Sequence, residues 1–156
     1  MTEAGALALG HEFFERQAWA DAYVQLAAAD REESLALEDL ERLATAAYLA
    51  GRDSACVSAW ARAHRESVRI GDVPRAARCA FWLGFPLLLK GDVAPARGWL
   101  ARARRVLDDC REDCVERGYL LVPAALQDLG GGDAASAYTT FGQATEIGRA
   151  SCRERV

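Results

Sequence analysis

The sequence predicts an all-α fold, an α-solenoid of about four helix-turn-helix repeats with about eight antiparallel helices. Composition is the first sign. Alanine occurs 32 times, while prolines number four and isoleucines two, a balance that favours helix over sheet. The second sign is spacing: small and large apolar residues recur at steps of three and four, which 3.6 residues per turn bring onto one helical face. The third is that one such pattern returns four times along the chain.

The pattern is anchored on Gln17, Gly51, Gly91 and Gly132, where a helix should break. Five residues on stand Ala22, Cys56, Ala96 and Ala137, all small; nine on stand Leu26, Trp60, Leu100 and Phe141, all large. Twelve residues on, the position is alanine in every case: Ala29, Ala63, Ala103 and Ala144. Backwards from the anchors, Leu9, Leu43, Leu83 and Ala124 come at eight residues, and Gly10, Ala44, Gly84 and Ala125 at seven. Phe13, Ala47, Leu87 and Asp128 come at four, and only the last departs from apolar character. Each unit therefore reads as two amphipathic helices around a tight turn, with small residues where the pair must approach closely.

In order along the chain, helices are expected near 3–15, 18–30, 35–50, 53–69, 73–90, 93–109, 112–129 and 133–147. Gly71-Asp72, Gly91-Asp92 and Gly132-Asp133 punctuate them: glycine ends one helix and aspartate caps the next. Pro86 and Pro123 fall inside expected helices and should kink or loosen them.

The net charge of −4 is modest and spread out, which gives no nucleic-acid or membrane footprint. No stretch approaches the roughly 20 apolar residues of a membrane span, and the N-terminus lacks the basic leader of a signal peptide. A cytoplasmic protein is expected. In that compartment Cys56, Cys79, Cys110, Cys114 and Cys152 read as reduced thiols that pack like small apolar groups.

Catalytic and cofactor chemistry finds few candidates. The only histidines are His11 and His64, and no second histidine follows His11-Glu12 to complete a zinc-protease helix. Cys110 and Cys114 in "DDCREDC" lie four apart, but metal binding needs two further ligands. The acids around them, Asp108, Asp109, Glu112 and Asp113, should raise both thiol pKa values. Arg97, Arg102, Arg104 and Arg105 are spaced to cover the solvated side of a helix rather than to bind phosphate. "LGGGDA" lacks the lysine and hydroxyl residue of a phosphate loop. The expectation is a non-enzyme, with no cofactor, no metal site and no catalytic residue.

The repeats "ALALGHEFF" with "AWADAYVQLAAA", and "AFWLGFPLLLKGDVAPARGWLARA", resemble the tetratricopeptide repeat, a helix-turn-helix unit with a period of about 34 residues. In that family the first helix of each pair lines a concave groove. Carrying the register over implies Leu7, His11, Phe14, Glu41, Thr45, Tyr48, Arg78, Phe81, Phe85 and Leu88 as groove residues. An aromatic stripe at this spacing is also the signature of an ordinary core, and that reading is the commoner one.

Two longer stretches, "LEDLERLATAAYLAGRDSACVSAWARAHRESVRIGDVPRAARCAFWLGFPLLLKGD" and "CVERGYLLVPAALQDLGGGDAASAYTTF", resemble the amino-terminal region of actinobacterial LuxR-type transcriptional regulators. The arginine-rich, lysine-poor composition, with 18 arginines against Lys90 alone, suits the GC-rich genes of such bacteria. The resemblance implies an interaction or ligand-sensing segment, a truncated part of a regulator whose DNA-binding helix-turn-helix is missing here. A free-standing adaptor is the alternative. The expected partner is a protein or peptide, a small-molecule effector is compatible, and direct nucleic-acid or membrane binding is not expected. The last residues, "EIGRASCRERV", can be back-translated into a common sequencing-adapter string. The expected division is therefore a helical-repeat domain over 1–145 and a non-native tail over 146–156.

Overall fold

The computed structural model describes residues 3–110 and 114–153, and every regular element among them is a helix. The chain divides into two compact units, Met1–Arg69 and Ile70–Val156. The first contains α1 (Glu3–Glu15), α2 (Trp19–Glu32), α3 (Leu37–Leu49) and α4 (Asp53–Ile70), which runs to the unit boundary. The second contains α5 (Val73–Leu89), α6 (Val93–Asp108), α7 (Val115–Tyr119), α8 (Leu121–Gly130) and α9 (Ala134–Arg153). In the first unit α1 packs on α2 and α2 on α3; in the second α5 packs on α6, and α9 on both α7 and α8.

One turn geometry recurs at all four anchors. Gln17, Gly51, Gly91 and Gly132 have φ of 59, 71, 86 and 87°, the left-handed region. The N–H of each anchor donates to the carbonyl three residues back, at 2.9 to 3.1 Å. The next N–H reaches the carbonyl five residues back: Ala18 to Phe13 (2.9 Å), Arg52 to Ala47 (2.7 Å), Asp92 to Leu87 (2.9 Å) and Asp133 to Asp128 (2.9 Å). These paired bonds are the Schellman termination, which satisfies carbonyls that a helix end would otherwise leave open. The position four before each anchor contributes its carbonyl, so its side chain is free to vary. Asp128 uses that freedom: its Oδ2 accepts a 3.1 Å bond from the Ser136 hydroxyl and ties α8 to α9.

Close approach explains the small residues. A Cβ on Gly10 would lie 2.8 Å from the Leu26 side chain; on Gly84 it would lie 3.0 Å from the Ala96 carbonyl oxygen and 3.0 Å from Trp99 Cβ. Ala22, Leu26, Ala96, Leu100 and Ala103 are all buried at these contacts. The core of the second unit gathers Ala77, Ala80, Phe81, Leu100, Ala103, Leu107 and Leu120.

Two expected helices differ from the structure by more than two residues at an end. The helix expected over 112–129 is two helices parted at Leu120; its first residues, Glu112 and Asp113, lie outside the described residues. The break follows from Pro123, which has no N–H to give the Tyr119 carbonyl. As the third residue of α8 it needs no intrahelical partner. By contrast α5 runs through Pro86 without interruption. The final helix continues past 147 to Arg153, with Ile147 next to Gly118 of α7. Residues 154–156 of the expected tail, and the Cys152 side chain, lie outside the described residues. Asp72 and Asp133 cap α5 and α9 by accepting the N–H of Arg75 (3.1 Å) and Ser136 (2.9 Å), whereas Asp92 begins α6 without a side-chain cap.

Candidate functional site

The first unit has a hollow of about 440 Å³ beside α1, the end of α2 and the start of α3. It exists because the α2–α3 connection is longer than the tight anchor turns: Glu33 to Ala36 pass between the helices as extended and irregular chain. Asp30 fixes that passage. Its Oδ1 accepts the Leu35 N–H at 3.4 Å, while Arg62 of α4 grips both carboxylate oxygens at 2.5 and 2.8 Å. The Arg62 hydrogen bond holds the Asp30 carboxyl below its usual pKa, and burial opposes the shift.

The hollow has apolar walls from Leu7, Ala29, Leu35 and Ala36, and polar groups from Glu32, Glu33 and Ser34. Its buried polar residue is Asp39, 8% exposed, in the first turn of α3. His11 Nε2 lies 2.6 Å from Asp39 Oδ1, and Arg42 Nη1 donates to the same oxygen at 2.8 Å. Among the described residues Asp39 Oδ2 has no protein partner, and no side-chain oxygen is both sealed from solvent and unbonded. Asp39 lines the hollow, and its Oδ2 is an unpaired oxygen that solvent still reaches.

The expected groove residues divide into several environments. In the first unit, Leu7 lines the hollow and His11 holds Asp39. Phe14 packs edge-on against Trp19, with ring centroids 5.3 Å apart. Glu41 is half-buried, its carbonyl taking the Thr45 hydroxyl at 2.9 Å, and Tyr48 is 42% exposed. In the second unit Phe81 is not an open groove contact. It is 4% exposed and belongs to the core, stacked on Phe85 at 5.0 Å and packed on Tyr119 at 5.6 Å. Its large apolar ring is instead buried in a cluster with Leu100, Leu107 and Leu120. Phe85 and Leu88 are half-buried against the same core.

Arg78 spans α5 and α7: Nε and Nη2 reach Glu116 Oε1 at 2.9 and 2.8 Å. Glu116 is only 3% exposed, so the guanidinium compensates a buried carboxylate charge.

Cys56 and Cys79 are buried thiols, while Cys110 and Cys114 are half-buried thiols. The Cys114 pKa is raised, as expected, but burial leads and Glu116 adds to it. No group of three or more metal-ligating side chains occurs among the described residues. Arg97, Arg102, Arg104 and Arg105 are exposed along α6, with the Arg102 guanidinium 4.8 Å from the Trp99 ring centre. No helix among the described residues is long and apolar enough to cross a membrane.

The sequence did not single out Asp39, Arg42, Asp30 or Arg62. The contacts His11–Asp39 and Asp30–Arg62 join residues 28 and 32 apart and fall outside the anchor register, so no local signal marks them. No protein-family model matches the chain, and the search of curated proteins gave no match either.

Proposed function

We propose that this chain is a helical-repeat binding segment, the interaction or ligand-sensing part of a LuxR-type transcriptional regulator acting in the cytoplasm. The observation that carries the binding reading is the fourfold recurrence of one turn, with left-handed anchors and the same two hydrogen bonds. Repeated hairpins of this kind are units that stack into tetratricopeptide-like solenoids and present extended surfaces to partners. The hollow at Asp39 gives the segment a specific place for a ligand group. Assignment to LuxR-type regulators rests on the two long stretches that resemble them, and DNA reading falls to a helix-turn-helix beyond this sequence.

The native reading frame downstream of Glu146 tests this proposal. In-frame continuation into further helical repeats and a terminal helix-turn-helix is the expected result. A native stop codon directly after Val156 would contradict both the regulator and the non-native tail, leaving a free-standing adaptor.

A further inference from the structure

We infer that the hollow beside α1, α2 and α3 is a binding site for an alkylammonium group, a primary amine carried on a short apolar chain. This rests on reading the chain as a binding segment and names the chemistry of its ligand. The volume, about 440 Å³, lies in the range of small-molecule clefts, roughly 300 to 1,000 Å³. The walls at Leu7, Ala29, Leu35 and Ala36 accept a hydrocarbon body but cannot orient it.

Charge selects the head group. Asp39 is held in place by His11 and Arg42, both on Oδ1, so the second oxygen is fixed and open to a donor. Glu32 and Glu33 stand exposed at the edge of the hollow, without an ion pair among the described residues. Among the described residues the lining carries three carboxylates, Asp39, Glu32 and Glu33, and no basic side chain, with Arg42 bonded to Asp39 from outside it, which favours an ammonium and opposes a carboxylate or phosphate. A neutral apolar ligand is also disfavoured, because displacing water from Asp39 Oδ2 would leave a largely buried carboxylate oxygen without a donor. An ammonium replaces that water with a charge-assisted hydrogen bond. The group can come from a free alkylamine or from a lysine side chain of a partner peptide.

Amide chemical-shift titration of the full chain tests the site with n-hexylammonium, n-hexanol, hexanoate and a lysine-containing tetrapeptide. Hexylammonium should shift the amides of residues 32–39 in a saturable way, bind at least about tenfold more tightly than hexanol, and outcompete hexanoate entirely. Asp39→Asn should weaken it by about tenfold or more. Glu32→Gln, at an exposed position that leaves the fold intact, should weaken it by roughly twofold. Tighter binding of the lysine peptide than of hexylammonium identifies the source as a partner protein; the reverse identifies a free amine. Equal response to hexanoate, or unchanged affinity in Glu32→Gln together with Asp39→Asn, would overturn the assignment. That failure would leave the regulator-segment reading standing, because that reading is decided by the downstream gene.

Discussion

Gly84 shows how a single hydrogen atom in place of a methyl sets the distance between two helices. The Cβ of an alanine would press on the Ala96 carbonyl and Trp99 Cβ, neither of which can rotate away. Gly84→Ala should therefore lower stability by about 1–3 kcal/mol in denaturant unfolding, although alanine is the better helix former. Gly98, in the middle of α6 with nothing near its Cβ, gives the opposite sign: Gly98→Ala should raise stability by about 0.5–1 kcal/mol. Charged residues divide along the same line of burial. Arg78→Met strands the Glu116 carboxylate and should cost about 3–5 kcal/mol, while the double variant with Glu116→Leu should recover most of that loss. Asp30 governs acid behaviour instead. Because its folded pKa is lowered, its stabilisation is complete above the unfolded value of about 4 and is lost as pH falls through the folded value. Arg62→Met should flatten the fall in stability below about pH 4, as followed by circular dichroism.

At the scale of elements, Gln17 is the exception among the anchors. It adopts φ of 59° where three glycines serve the same turn, a conformation that costs an L side chain about 1–2 kcal/mol. Gln17→Gly should therefore stabilise the protein by about 0.5–1 kcal/mol in thermal or denaturant melts, since part of the gain is offset by the freer unfolded chain. The turns were legible in the sequence because the left-handed residue, the small contact residues and the large core residues keep a fixed register around each anchor. Even Gln17 could be found through its neighbours Gly10, Ala22 and Leu26. The break at Leu120 was less legible: Pro123 marked a disturbance, but one residue cannot say on which side a helix will part. The hollow was not legible at all. It is made by an aperiodic connection and by a histidine and an aspartate that meet only after α1, α2 and α3 have packed.

For the whole molecule, one turn is used four times along the chain, and we propose that the helices it joins present the surfaces through which the chain binds partners. Repetition is what connects residue-scale packing to the proposed role, since each hairpin needs little from distant sequence and can carry different side chains on its open face. His11 and Arg42, bonded to Asp39, and Tyr48 at the end of α3 illustrate that variation within the first unit. Backbone NMR of the full chain tests the claim most directly. Helical Cα shifts should be interrupted at Gln17, Gly51, Gly91 and Gly132, with the left-handed signature at each, and protected amides at Ala18, Arg52, Asp92 and Asp133. Helical shifts running unbroken through any of the four anchors, or free exchange at those four amides, would contradict it.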